Sequence, residues 1–227
     1  MPPVDIFSGP GRISVLLVDD DPGVLKSLKR SLGRSGFDVE VASTAAEALD
    51  LAARKRPDVA LLDLHLTADK RAEGLPLFSR LRDAGFRGPA LILSGDASFE
   101  QAHESARVGV NGFLVKMDSA RLPGLLRFAL RQESGFAQAA PLSPSAAAYL
   151  RTRGLGEWDL ALLSELSKDF GCREKELARR LGRGEAAVRK QLQEIREKLD
   201  ASGHADLTRI LGVLSCFAPV REGDAWR

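Results

Sequence analysis

Val15, Leu16, Leu17 and Val18 run directly into Asp19, Asp20 and Asp21, and then into Pro22. An unbroken β-branched and leucine run reads as a buried strand of a parallel sheet. Carboxylates crowded at its end need a cause other than packing, since neighbouring like charges repel unless a cation sits between them. In an open α/β sheet, ligands bind beyond the carboxyl ends of the strands, which is where Asp19 and Asp20 fall. Oxygen-only donors suit a hard divalent cation such as Mg²⁺. Asp19 and Asp20 are therefore expected to form an acidic metal pocket. Asp21, just ahead of Pro22, is expected to cap the following helix instead.

Three further apolar runs end in residues able to do chemistry. Residues 59–62 lead into Asp63, residues 90–93 into Ser94 and Gly95, and residues 113–115 into Lys116. If these are parallel strands, three carboxylates, a hydroxyl and an ammonium share one sheet edge. The elements that must position them follow from the hydrophobic period. Runs at 13–18, 37–41, 59–62, 90–93 and 113–115 alternate with amphipathic stretches at 23–32, 45–54, 75–84, 99–108 and 120–131. Thr44 followed by Glu47 reads as a capping box, and Gly36 as a helix terminator. Five strands alternating with five helices over short loops predict a doubly wound, five-stranded parallel sheet.

The pattern dissolves between residues 132 and 154, which carry Gly135, Pro141 and Pro144 and read as a linker. A short helix over 145–153 is compatible with that segment. Beyond it the period stays helical, with helices expected at 157–169, 173–181, 185–199 and 204–217, so a second, smaller, all-α domain is predicted. The last of these carries more apolar side chains than one helix face can bury alone. Two short helices around Gly182 and Gly184 fit a helix-turn-helix, and equally a plain helical hairpin. Charge favours the first. Between Arg173 and Lys190 there are seven basic residues and three acidic ones. Arg189, Lys190 and Gln193 sit on the early turns of the second helix, where side chains reach base edges, whereas Lys175 and Arg183 sit at helix starts or turns and would meet phosphates.

The chain has 227 residues, 44% of them apolar, and a formal charge of only +2, so the basic patch and not the net charge is the electrostatic signal. Two cysteines, Cys172 and Cys216, are too few for a disulfide framework and point to a reducing cytoplasm. Residues 1–12 lack the basic start and apolar core of a signal peptide, and no run approaches the roughly 20 apolar residues of a membrane span. A soluble protein is expected.

Residues 13–131 resemble the receiver domain of bacterial two-component response regulators, a flavodoxin-like fold. Position by position, Asp19 and Asp20 match the acidic metal pair, Asp63 the phosphoryl acceptor, Ser94 the hydroxyl switch, Phe113 the switch aromatic and Lys116 the lysine of the family pattern. The resemblance implies attack by an Asp63 oxygen on a phosphoryl donor, usually the phosphohistidine of a sensor histidine kinase. It also implies Mg²⁺ held by Asp20, Asp63 and the backbone carbonyl near His65. Thr67 stands where the family usually has proline, Gly74 arrives late, and Met117 replaces the usual proline after the lysine, where a trans bond is expected. Residues 155–214 resemble the LuxR/NarL-type DNA-binding domain, with Gly156, Asp159, Ala161, Ala187 and Gln191 departing from its pattern. The resemblance implies promoter DNA as partner and a homodimer formed through the last helix.

The expected organisation is a receiver at 12–133, a linker at 134–154 and a helix-turn-helix domain at 155–218. The expected function is that of a transcriptional regulator phosphorylated on an aspartate, not an enzyme with an external substrate. Two other readings compete. One is a receiver-containing adaptor whose helical domain binds protein. The other is a Mg²⁺-dependent phosphohydrolase, which leaves the basic patch without a role.

Overall fold

In a computed structural model the described residues are 12–66, 74–131 and 142–216. They form five strands, β1 (Ser14–Val18), β2 (Asp38–Ala42), β3 (Val59–Asp63), β4 (Ala90–Ser94) and β5 (Gly112–Val115). Between and after them lie α1 (Pro22–Arg34), α2 (Ala45–Lys55), α3 (Gly74–Asp83), α4 (Phe99–Arg107) and α5 (Leu122–Arg131). The C-terminal part is helical, with α6 (Pro144–Thr152), α7 (Glu157–Lys168), α8 (Glu174–Leu181), α9 (Glu185–Lys198) and α10 (His204–Cys216). The sheet order is β2-β1-β3-β4-β5, the doubly wound order of flavodoxin-like folds.

Burial explains which strands read as continuous apolar runs. Val15 to Val18 of β1 and every residue of β3 and β4 are buried, as strands covered on both faces must be. Edge strand β2 alternates more, with Asp38 exposed and Val39 buried. Register places Val18 opposite both Ala42 and Leu62, so the next residues along, Asp19 and beyond Leu62 Asp63, emerge side by side.

Helix starts follow their caps. Asp21 Oδ1 accepts from the Gly23 and Val24 amides at 2.6 and 3.2 Å, the role expected of it. Thr44 Oγ1 accepts from the Glu47 amide at 3.2 Å, but the Glu47 carboxylate turns one residue further back, to the Ser43 amide at 2.8 Å and hydroxyl at 2.9 Å. The helix expected over 120–131 is split. A 3-10 turn, Lys116–Arg121, precedes α5, whose second residue is Pro123, a residue that fits only the first turn of an α-helix.

The described residues pack as two compact units, one within Met1–Ala90 and Arg121–Leu130, the other within Leu91–Ala120 and Arg131–Arg227. The division falls at residue 90 and not in the segment expected as a linker, because α10 packs on α4 and β5. Part of that segment forms α6, capped by Ser143, and residues 132–141 lie outside the described ones. In the second unit Leu207, Ile210, Leu211 and Leu214 of α10 are completely buried, so the apolar excess of this helix is covered within the chain. Phe217 lies outside the described residues. Among the described residues no helix is long and apolar enough to cross a membrane.

Candidate functional site

In a sheet of this order, the crevice at the carboxyl ends of β1 and β3 is the topological switch point, where flanking connections leave in opposite directions. Asp19 and Asp20 follow β1 there, and Asp63 ends β3. One carboxylate oxygen from each of the three lies within 4.8 Å of the others. Asp19 is fully buried and Asp63 is 3% exposed, whereas Asp20 faces solvent and leaves the cluster open on one side. The Asp21 amide donates to Asp19 Oδ1 at 3.0 Å, fixing that side chain from its own loop. Asp21 itself caps α1 and stands apart from the cluster.

Three carboxylates this close repel, and a hard divalent cation with oxygen preference is what their donor chemistry fits. The three could hold Mg²⁺, which when bound supplies positive charge to offset oxygens gathered beside it. His65, whose backbone carbonyl is the remaining expected donor, stands two residues past Asp63 and is half-buried. A cavity of about 610 Å³ opens at the opposite edge, lined by Arg56, Pro57, Asp58, Phe86 and Arg87 among others, and holds none of the expected site residues.

Gly74 gains a role that sequence reasoning missed. Its amide donates to the Leu64 carbonyl at 3.1 Å, and a β-carbon at this position would stand 2.1 Å from the Asp63 carbonyl oxygen. Only glycine lets α3 begin this close to the acceptor strand. The late arrival of Gly74 was the available signal. Thr67 and the rest of 67–73 lie outside the described residues.

In the second compact unit, Ser94 ends β4 fully buried, with its hydroxyl donating to the Asp96 carbonyl at 2.7 Å. Phe113 is buried in β5, and Lys116 opens the 3-10 turn, half-buried. No peptide bond among the described residues is cis, in line with the trans bond expected at Met117.

The expected DNA-facing side chains lie on exposed surface. Val188, Leu192 and Ile195 bury one face of α9, leaving Arg189, Lys190 and Gln193 outward. They are engaged with acidic neighbours. Arg189 bridges Glu174 at 2.8 Å and Glu185 at 3.0 Å, Lys190 lies 3.7 Å from Glu194, and Gln193 donates to Glu197 at 3.3 Å. Lys175 is exposed on the first turn of α8, and the Arg183 guanidinium stands 5.0 Å over the Trp158 ring. Nearby, hydrogen bonds from Arg179 and then Arg180 pull the Glu176 carboxyl down to about 2.

Asp159 organises this helical region. It is buried in α7, and its carboxylate accepts from the Gly156 amide at 3.0 Å, from Lys198 at 2.9 Å and from the Gln191 amide group. Burial pushes its carboxyl up, but Lys198, Gly156 and Gln191 together outweigh that and hold it below the usual range. Asp159, Gly156 and Gln191 were three separate departures from the family pattern. In space they form one hydrogen-bonded group.

Residues 15–127 match the response regulator receiver domain, and that segment is a receiver domain. A response regulator, MprA, of Mycobacterium sp. strain KMS is 37% identical over 120 residues, 51% of each chain. The chain spans about half the length of the curated relatives it matches. The BeF3-activated N-terminal receiver domain of Klebsiella pneumoniae RstA is 31% identical over 52% of this chain and 99% of its own, with a TM-score of 0.48. The RcsB response regulator of Salmonella typhimurium is 19% identical, covers 88% of this chain and 98% of its own, and has a TM-score of 0.50, a likeness of fold.

Proposed function

We propose that the chain is the response regulator of a two-component system, phosphorylated on Asp63 and controlling transcription through DNA binding by its helical C-terminal part. The convergence of Asp19, Asp20 and Asp63 at the β1–β3 switch point carries this reading. An Asp63 oxygen attacks a phosphoryl group presented by a sensor histidine kinase, and the phosphorus–leaving-group bond breaks as the acyl phosphate forms. Asp19, Asp20, Asp63 and the His65 carbonyl would hold Mg²⁺, which would supply positive charge beside the transferring oxygens. Lys116 pairs with the phosphoryl group, Ser94 gives up its Asp96 contact to hydrogen-bond it, and Phe113 follows. The chain turns over no external substrate. Lys190, Arg189 and Gln193 read bases while Lys175 and Arg183 hold phosphates, in a dimer on promoter DNA.

Labelling with a small-molecule phosphodonor tests the acceptor. Asp63→Asn abolishes labelling, because an amide is neither nucleophile nor anionic ligand. Undiminished labelling of that variant removes the assignment.

The adaptor reading, a helical domain that binds protein, keeps one observation in its favour. Arg179, Arg180, Arg189 and Lys190 are all paired with glutamates of α8 and α9. A complex with duplex DNA that weakens steeply with salt separates the two.

A further inference from the structure

His103 lies in the middle of α4 and is 3% exposed, an unusual place for a histidine that takes no part in the acidic site. Both ring nitrogens are used. Nδ1 is 2.7 Å from the Tyr149 hydroxyl of α6, and Nε2 is 3.0 Å from the Leu199 carbonyl at the end of α9. All three residues belong to the same compact unit. A carbonyl only accepts, so Nε2 carries the hydrogen, and Nδ1 offers its lone pair to the Tyr149 O–H. The neutral ring is thereby fully satisfied. A second proton, on Nδ1, would remove the acceptor that the tyrosine hydroxyl uses.

The surroundings disfavour that proton as well. Burial comes first, and the nearby Arg153 and Arg107 charges act in the same direction, against the Leu199 carbonyl and Asp200, so the imidazole is held below its ordinary range. The other charged groups around this seam are Glu100 and Glu104 of α4, felt by Tyr149, and Asp206 and Arg209 of α10. Tyr149 stacks on Phe99 with ring centres 5.5 Å apart, which fixes its hydroxyl toward the histidine. One turn on, Arg209 Nε donates to the Ala106 carbonyl at 2.9 Å, which also accepts from the Gly109 amide at 3.0 Å. Ala102, Ser105 and Ala106 are also buried in α4, the helix on which α10 packs.

We propose that His103 is a proton-sensitive latch: its hydrogen bonds to Tyr149 and Leu199 hold α6 and the end of α9 on α4 while the ring is neutral, and mild acid releases them. The sign follows from the protonation states. A ring that opens into water regains an ordinary affinity for protons, whereas the docked ring has a lowered one. Docking is therefore fully supported above about pH 6.5 and is lost as pH falls through the lowered value of the docked ring. One proton limits the effect to about a tenfold change in the docking equilibrium per pH unit. The latch is independent of Asp63 chemistry and requires no phosphoryl group.

Amide hydrogen exchange on the full chain at pH 7.5 and 5.5, corrected for intrinsic rates, tests it. Protection of 100–107 and 145–152 is expected to fall severalfold at the lower pH while β1 and β3 keep theirs. In His103→Gln, which has no titrating ring at this position, the two pH values are expected to give equal protection at the seam. Unchanged seam protection in the parent, or the same acid loss in His103→Gln, overturns the proposal. If the variant does not fold, imidazole NMR of the parent decides: His103 must titrate below the ordinary range with seam amides shifting in the same step, and an ordinary titration overturns the latch.

Discussion

The acidic site depends on a residue that carries no chemistry of its own. Gly74 lets the start of α3 rest on the Asp63 carbonyl, and a β-carbon 2.1 Å from that oxygen has no flexible neighbour to push aside, only backbone. Gly74→Ala is therefore expected to displace the acceptor strand, lowering stability by about 1 to 3 kcal/mol, the usual cost of overpacking, and weakening Mg²⁺ binding. Denaturant unfolding with calorimetric titration of Mg²⁺ measures both. A variant matching the parent in each leaves Gly74 a bystander. The carboxylates themselves were readable from sequence, since runs of charge at the ends of apolar strands have few structural uses. The contact of Gly74 was not, because it joins positions eleven apart through a loop whose path no local pattern specifies.

At the level of elements, the strands and most helices were legible because each carries one clear period and a cap residue of the right type. What escaped was the choice of partner. The apolar surplus on α10 was visible as a surplus, yet the sequence could not say that α4 and β5 absorb it, since a second copy would bury the same side chains. The charge pairing on α8 and α9 was hidden in the same way: Glu174 and Arg189 are distant in sequence and meet only across the turn. This pairing sharpens the division of labour proposed for the two helices. Lys190→Ala is expected to cost about 1 to 3 kcal/mol on a preferred duplex and to relax choice at one base position. Arg183→Ala is expected to weaken all sequences alike and lower the salt slope by about one. Binding to preferred and scrambled duplexes over a salt series distinguishes them. If both variants behave as the parent, the helices do not read DNA.

For the molecule as a whole, the packing of α10 on α4 and β5 makes part of the receiver segment dependent on the C-terminal helices. A fragment of residues 12–133 keeps the acidic cluster but strips α10 from β5 and leaves the His103 ring without Tyr149 and Leu199. It is expected to unfold at lower denaturant than the full chain and to bind an apolar dye, and an equal midpoint without dye binding contradicts this. Modularity is limited for the same reason. A chimera that grafts a foreign helical tail after residue 133 inherits an α4 shaped for a partner it no longer has, so exchange of output halves succeeds only when α4 and its seam travel with the tail or are remade to match the new one.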